Sequence, residues 1–73
     1  MDLIAKLHRE LDKIIGSEEK VEYKEGRIVE TITREELYSM CEDTMLSLSG
    51  YGVEEKHLVV ATVNLIRRHL WLK

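Results

Sequence analysis

The first fifteen residues place their apolar side chains at the spacing of one helical face, with charged residues between them. Asp2 is a suitable N-cap, and Gly16 can end a helix in the left-handed conformation. The pattern therefore predicts a helix over residues 2–15 that lays a single apolar stripe on the rest of the domain. That stripe consists of Leu3, Ile4, Leu7, Leu11, Ile14 and Ile15.

The period of the pattern changes between residues 20 and 32, where apolar and polar positions alternate on both sides of a glycine. Two short runs rich in β-branched residues around such a turn predict a β-hairpin. Two registers are open. A two- or four-residue loop sets Tyr23 opposite Ile28, whereas a three-residue loop with a glycine bulge sets Val21 opposite Val29.

A second helix is predicted over residues 34–48, because Thr33 and Glu36 have the spacing of a capping box. The sequence SGYG that follows is expected to end it. A third helix is predicted over residues 53–72, with glutamates in its first turn and a basic cluster in its last, as the helix dipole favours. The β-branched run within residues 58–63 leaves a strand open as the alternative there.

The third predicted helix is apolar on more sides than a small domain needs for its core. A helix that is apolar nearly all round is buried, and exposed apolar patches mark interfaces. We expect a homodimer through this helix; an unlike protein partner, or coverage by the hairpin and first helix, are the alternatives. The residues expected at the interface are Leu58, Leu65 and Leu72 on one ridge and Val53, Val60 and Trp71 on another.

These elements together predict an α+β fold that is mostly helical, in the order helix, β-hairpin, helix, long C-terminal helix. The 73 residues correspond to one small domain over residues 1–73. A chain of this size buries a modest core, so its stability margin is thin.

The composition points to a cytoplasmic protein. Cys41 is the only cysteine, which excludes an internal disulfide and suits a reducing compartment. The N-terminal segment lacks the apolar run of a signal peptide, and no stretch has the length of an uncharged membrane span, so we expect no membrane association. The net charge of −3 argues against general affinity for nucleic acid.

The chemistry-bearing residues predict neither an enzyme nor a cofactor or metal site. Cys41 lies on the apolar face of its predicted helix, where a cysteine acts as a small hydrophobe. Glu54 and His57 have the spacing of half a carboxylate-bridged di-metal site, but the chain contains only one such pair. The four glycines stand apart, so no phosphate-cradling loop is present.

Nucleic-acid binding is kept as an alternative, because two helices joined by SGYG have the outline of a helix-turn-helix. The first turns of the last helix are acidic and then apolar, which does not suit a recognition helix. The candidate phosphate contacts are Arg67, Arg68 and Lys73 at its far end.

Residues 21–27, followed by a hairpin return and a helix, loosely resemble the start of the ATP-cone regulatory domain. The Arg-Asp pair of that motif is absent, Glu30 falls one residue late, and Ile32 stands where an aromatic residue is expected. We therefore do not assign the chain to that family, and a small nucleotide- or metal-binding regulatory domain stays an alternative.

By elimination, the sequence favours a small non-enzymatic protein-interaction module that acts as an adaptor, inhibitor or regulator of another macromolecule. The apolar surplus on the last helix is the positive observation behind this expectation. The identity of the partner does not follow from the sequence.

Overall fold

The computed structural model describes residues 2–71, and it confirms the predicted fold class of α+β with mostly helical content. Three helices pack with a three-stranded antiparallel sheet in the strand order β2-β1-β3. The elements are α1 (Leu3–Ile15), β1 (Lys20–Glu25), β2 (Ile28–Thr33), α2 (Arg34–Gly50), α3 (Glu55–Arg67) and β3 (Leu70–Trp71).

Helix α1 forms as its sequence predicts. The Asp2 carboxylate accepts a hydrogen bond from the backbone N–H of Ile4 at 3.0 Å and so caps the first turn. Gly16 ends the helix at a positive φ of 62°. Leu7 and Leu11 are fully buried, so the predicted stripe faces the core.

The hairpin forms in neither of the two registers that the sequence left open. Gly26 and Arg27 are the two loop residues, and Val21 lies opposite Ile32. Gly26 has a positive φ and Arg27 does not, the pattern of a type II′ turn, whose twist matches the flanking strands. Both Val21 and Ile32 are buried, so this alignment sets the two buried residues of the hairpin opposite each other on one face.

Helix α2 begins at the predicted capping box: the Thr33 side chain accepts from the N–H of Glu36, and the Glu36 side chain accepts from the N–H of Thr33. It ends two residues later than predicted, in a Schellman motif centred on Gly52. The N–H of Gly52 donates to the carbonyl of Ser49, and the N–H of Val53 donates to the carbonyl of Leu48.

Residues 58–63 are helical, which removes the strand alternative, but the predicted extension of the last helix to residue 72 is wrong. Helix α3 ends at Arg67, and Leu70–Trp71 pair with β1 as an edge strand. The N–H of Lys24 donates to the carbonyl of His69 at 2.7 Å, and the His69 ring stacks on Tyr23 with centroids 5.1 Å apart. The open edge of β1 therefore supplies backbone hydrogen-bond partners for residues 69–71, and local helix propensity does not reveal these partners.

The core lies between the helices and the inner face of the sheet, and among the described residues it contains one polar side chain, Thr62. The outer face of the sheet carries exposed residues, among them Lys24, Val29 and Trp71. Within residues 2–71, no helix combines the length and the apolar character needed to cross a bilayer. The buried apolar residues are Leu7, Leu11, Ile15, Val21, Ile32, Leu37, Cys41, Met45, Leu58, Val59 and Ile66.

Candidate interaction surface

Two adjoining depressions on the surface share one residue, Ile14 near the end of α1. The larger has a volume of about 470 Å³ and is bordered by Trp71; the smaller has a volume of about 300 Å³ and is bordered by Val60. The side chain of Val60 is 58% exposed and that of Trp71 is 52% exposed. We call Ile14, Val60 and Trp71, with the two depressions they line, the Trp71 surface.

The rim of the Trp71 surface carries charges of both signs. Around the larger depression lie Glu18, Lys20 and Glu22, and around the smaller one lie the ion pair of Lys13 with Glu10, at 3.1 Å, and Arg67. An apolar centre with a charged rim is the usual composition of a protein interface.

The position of Trp71 follows from how β3 is held on the sheet. The pairing of Trp71 with Glu22 puts the indole on the outer face, whereas the neighbouring Leu70 packs against the core. The ammonium group of Lys24 lies 5.6 Å from the centroid of the indole ring, a cation–π distance. Because the strand and the lysine both constrain it, the indole is a preorganised anchor rather than a loose side chain.

The predicted interface residues divide into three groups. Val60 and Trp71 lie on the Trp71 surface, as described above. Leu58 is buried in the core of this chain and presents no surface to a partner, so its inclusion in the interface is corrected; helices α1 and α2 cover that side of α3. Val53 is half-buried in the loop before α3, and Leu65 is exposed on the opposite flank of the helix. Leu72 lies outside the described residues.

Ile14 is the residue of this surface that sequence reasoning missed, because its spacing assigned it to the core stripe of α1. The sequence feature that could have indicated its exposure is the pair of consecutive isoleucines, Ile14 and Ile15. Two consecutive helical residues are about 100° apart, so both cannot point to the centre of one face. In the structure Ile15 is buried and Ile14 lies at the border of the stripe.

A polar cluster joins the end of α1 to the start of α2, and its geometry is that of a structural link. The Arg34 guanidinium donates to Asp12, Tyr38 and the carbonyls of Gly16 and Glu18. Partial burial, and then the hydrogen bond to Asp12, raise the pKa of the Tyr38 phenol. These donors are all directed to the chain itself, so the cluster fastens the end of α1 to the start of α2.

The His8 imidazole extends this link along the same helix pair. His8 lies 3.3 Å from a Glu42 carboxylate oxygen and stacks on the Tyr38 ring with centroids 4.0 Å apart. The stacked ring fills the space between α1 and α2, so this histidine also serves packing.

The other chemistry-bearing side chains that the sequence singled out are Cys41, Glu54 and His57. Cys41 is buried, and burial raises the pKa of its thiol to about 12, so the nucleophilic thiolate is suppressed at neutral pH. Glu54 and His57 are both exposed. Within residues 2–71, no three His, Cys, Asp or Glu side chains are grouped so as to hold a metal ion.

Arg67 and Arg68, two of the candidate phosphate contacts, are exposed at the end of α3, and Lys73 lies outside the described residues. Comparisons with protein-family models, with curated proteins and with solved structures find no match for this chain.

Proposed function

We propose that this chain is a small non-enzymatic interaction module, an adaptor or inhibitory regulator of another macromolecule, that pairs with a second copy through the Trp71 surface. The observation that supports this proposal is the pair of half-exposed apolar side chains, Val60 and Trp71, on either side of Ile14. Exposed apolar patches of this kind mark interfaces, and tryptophan is a favoured anchor in them. The lone buried thiol of Cys41 favours the cytoplasm as its location.

A second copy is the occupant that the shape and charge of the surface suit best. A two-fold axis near Ile14 sets Trp71 of each copy against the smaller depression of the other copy. Both tryptophan side chains are then buried in the interface. The same axis brings Arg67 of one copy towards Glu22 of the other. Neither residue forms an ion pair within residues 2–71, and opposite charges across a rim favour encounter and orientation.

The dimer is tested through Trp71, the only tryptophan of the chain. We expect light scattering to give twice the monomer mass at micromolar concentration, and dilution to move the tryptophan emission to longer wavelength as the indole becomes hydrated. Val60→Glu should give a monomer with a red-shifted emission and an unchanged circular dichroism spectrum. Leu46→Glu is the matched control, because Leu46 is 69% exposed on α2, away from both depressions.

A wild-type monomer at high micromolar concentration would refute pairing through this surface, as would equal effects of Val60→Glu and Leu46→Glu.

Nucleic-acid binding is the alternative, favoured by the exposed Arg67 and Arg68. A DNA or RNA shift assay over a range of salt concentrations separates the two, since phosphate contacts weaken steeply with salt. Melting curves with ATP and with divalent metals test the nucleotide- and metal-binding alternatives, because a specific ligand raises Tm.

A further inference from the structure

The strand β2 forms an open edge of the sheet. It pairs with β1 on one side only, since the strand order is β2-β1-β3. Its first four residues are exposed, including the apolar Ile28 and Val29. An exposed edge strand carries unpaired backbone groups and is a template for another strand.

The backbone groups on this open edge can be assigned from the register. The N–H of Lys24 points away from β2, because it donates to the carbonyl of His69 on the β3 side. In an antiparallel pair, two residues opposite each other either both bond across the pair or both point their N–H and C=O groups away from it, and the two cases alternate along the strand. Val29 and Thr31, opposite Lys24 and Glu22, therefore direct their N–H and C=O groups to the open edge.

Three of the devices that block an edge are missing from β2. It contains no proline and no lysine, and its pairing with β1 is continuous, without a bulge. Its one charged residue is Glu30, at the middle of the exposed stretch. Within residues 2–71 the Glu30 carboxylate forms no ion pair.

Glu30 decides which strand fits this edge. Antiparallel pairing with a second copy that is centred on Glu30 sets this residue directly opposite its own counterpart, and like charges at that position are destabilising. Sliding the copies by two residues shortens the pairing or sets the partner's turn beside the start of α2. A strand with a lysine or arginine opposite Glu30 gains the opposite-charge pair instead.

We propose that the open edge of β2 is a strand-addition site for an extended segment of a protein partner that carries lysine or arginine opposite Glu30. The backbone of Val29 and Thr31 supplies the hydrogen bonds, and Glu30 selects the segment and disfavours a second copy. Thr31 also lines the larger depression, so this site adjoins the Trp71 surface, whereas Val29 and Glu30 line neither depression. The response of Val29 and the effect of Glu30 therefore distinguish strand addition from pairing through the Trp71 surface.

The proposal is tested with two synthetic peptides, acetylated and amidated: Thr-Thr-Val-Lys-Val-Thr-Thr and the same peptide with glutamate in place of lysine. Both are titrated into the 15N-labelled protein and followed by NMR. We expect the lysine peptide to shift and protect the amides of Val29 and Thr31 from hydrogen exchange. Its affinity should exceed that of the glutamate peptide roughly two- to tenfold, from one favourable and one unfavourable cross-strand pair.

Glu30→Lys should reverse the preference between the two peptides. Asp43→Lys is the matched control: it makes the same change of charge at an exposed position on α2 rather than on the sheet, and it should leave the preference unchanged. Val29→Pro should remove binding while the hairpin persists, because proline is tolerated where the N–H faces outward from an edge.

Three results would overturn the strand-addition site. The first is an absence of protection at Val29 and Thr31 with millimolar lysine peptide. The second is equal affinity for the two peptides. The third is a set of shifts centred on Trp71 rather than on β2. None of these results bears on the dimer, which is read from the mass and the tryptophan emission.

Discussion

Replacing Thr62 by valine should stabilise the protein, because its hydroxyl is the one polar side-chain group in the described core. Thr62 is 0% exposed, and its Oγ1 has no hydrogen-bond partner within residues 2–71. A buried hydroxyl without a partner costs about 1–3 kcal/mol. Valine has nearly the same shape and a similar helix propensity, so the substitution leaves packing and helix formation unchanged. We expect the free energy of unfolding to rise by about 1–2 kcal/mol.

The measurement is urea unfolding followed by circular dichroism, at one fixed protein concentration because pairing would otherwise contribute. The midpoint should rise with an unchanged m-value. In thermal unfolding each kcal/mol corresponds to a rise in Tm of about 4–8 °C for a domain of this size. Thr44→Val is the control: the Thr44 hydroxyl donates to the Met40 carbonyl at 2.9 Å, so its loss should bring no gain.

A neutral or destabilising effect of Thr62→Val would refute this reasoning. It would mean that the hydroxyl is satisfied in the folded protein, by a buried water or by the carbonyl one turn earlier in α3. Equal gains from Thr62→Val and Thr44→Val would refute it as well, since the effect would then come from valine itself and not from an unpaired hydroxyl.

Two glycines close to each other should respond to alanine with opposite signs. Gly52→Ala should lower the free energy of unfolding by about 1–2 kcal/mol, because a φ of 92° strains any side chain. Gly50→Ala should raise it by up to about 1 kcal/mol, because Gly50 lies within α2 and alanine favours the helix. If both substitutions changed stability in the same direction, α2 would not end in the Schellman motif. The Cys41 thiol, whose pKa burial raises from 9.0 to about 12, should react with a disulfide reagent only after unfolding. Because the folded chain holds that proton more tightly than the unfolded chain, the free energy of unfolding should fall as pH rises from about 9 towards 12. In Cys41→Val this fall should be less steep. Fast labelling of the thiol in the native protein would contradict its buried placement.

The elements that local chemistry determines were predictable from the sequence. The apolar stripe of α1 and the capping box of α2 act within a few residues of the chain, and both are present as expected. The fold class follows from the same patterns. The hairpin register was not predictable, because the loop sequence permits several alignments and only the packing of Val21 with Ile32 selects one.

Long-range contacts account for the other differences. The strand Leu70–Trp71 forms because β1 has an open edge, and that edge becomes visible only when the sheet is assembled. Helical projection found Val60 and Trp71 as surplus apolar residues, but it did not show which side of α3 the other helices cover. Leu58 was therefore assigned to the interface, and Ile14 was missed.

The pairing of β3 with β1 also has a consequence for how the chain is made. Lys24 and His69, which are joined by hydrogen bonds, lie 45 residues apart in the sequence. A ribosome that adds about 5–20 residues per second needs roughly 2–9 s to cover that distance. Until Leu70–Trp71 have been made, a hairpin formed by residues 20–33 has two open edges, because the side of β1 that β3 occupies lacks its partner.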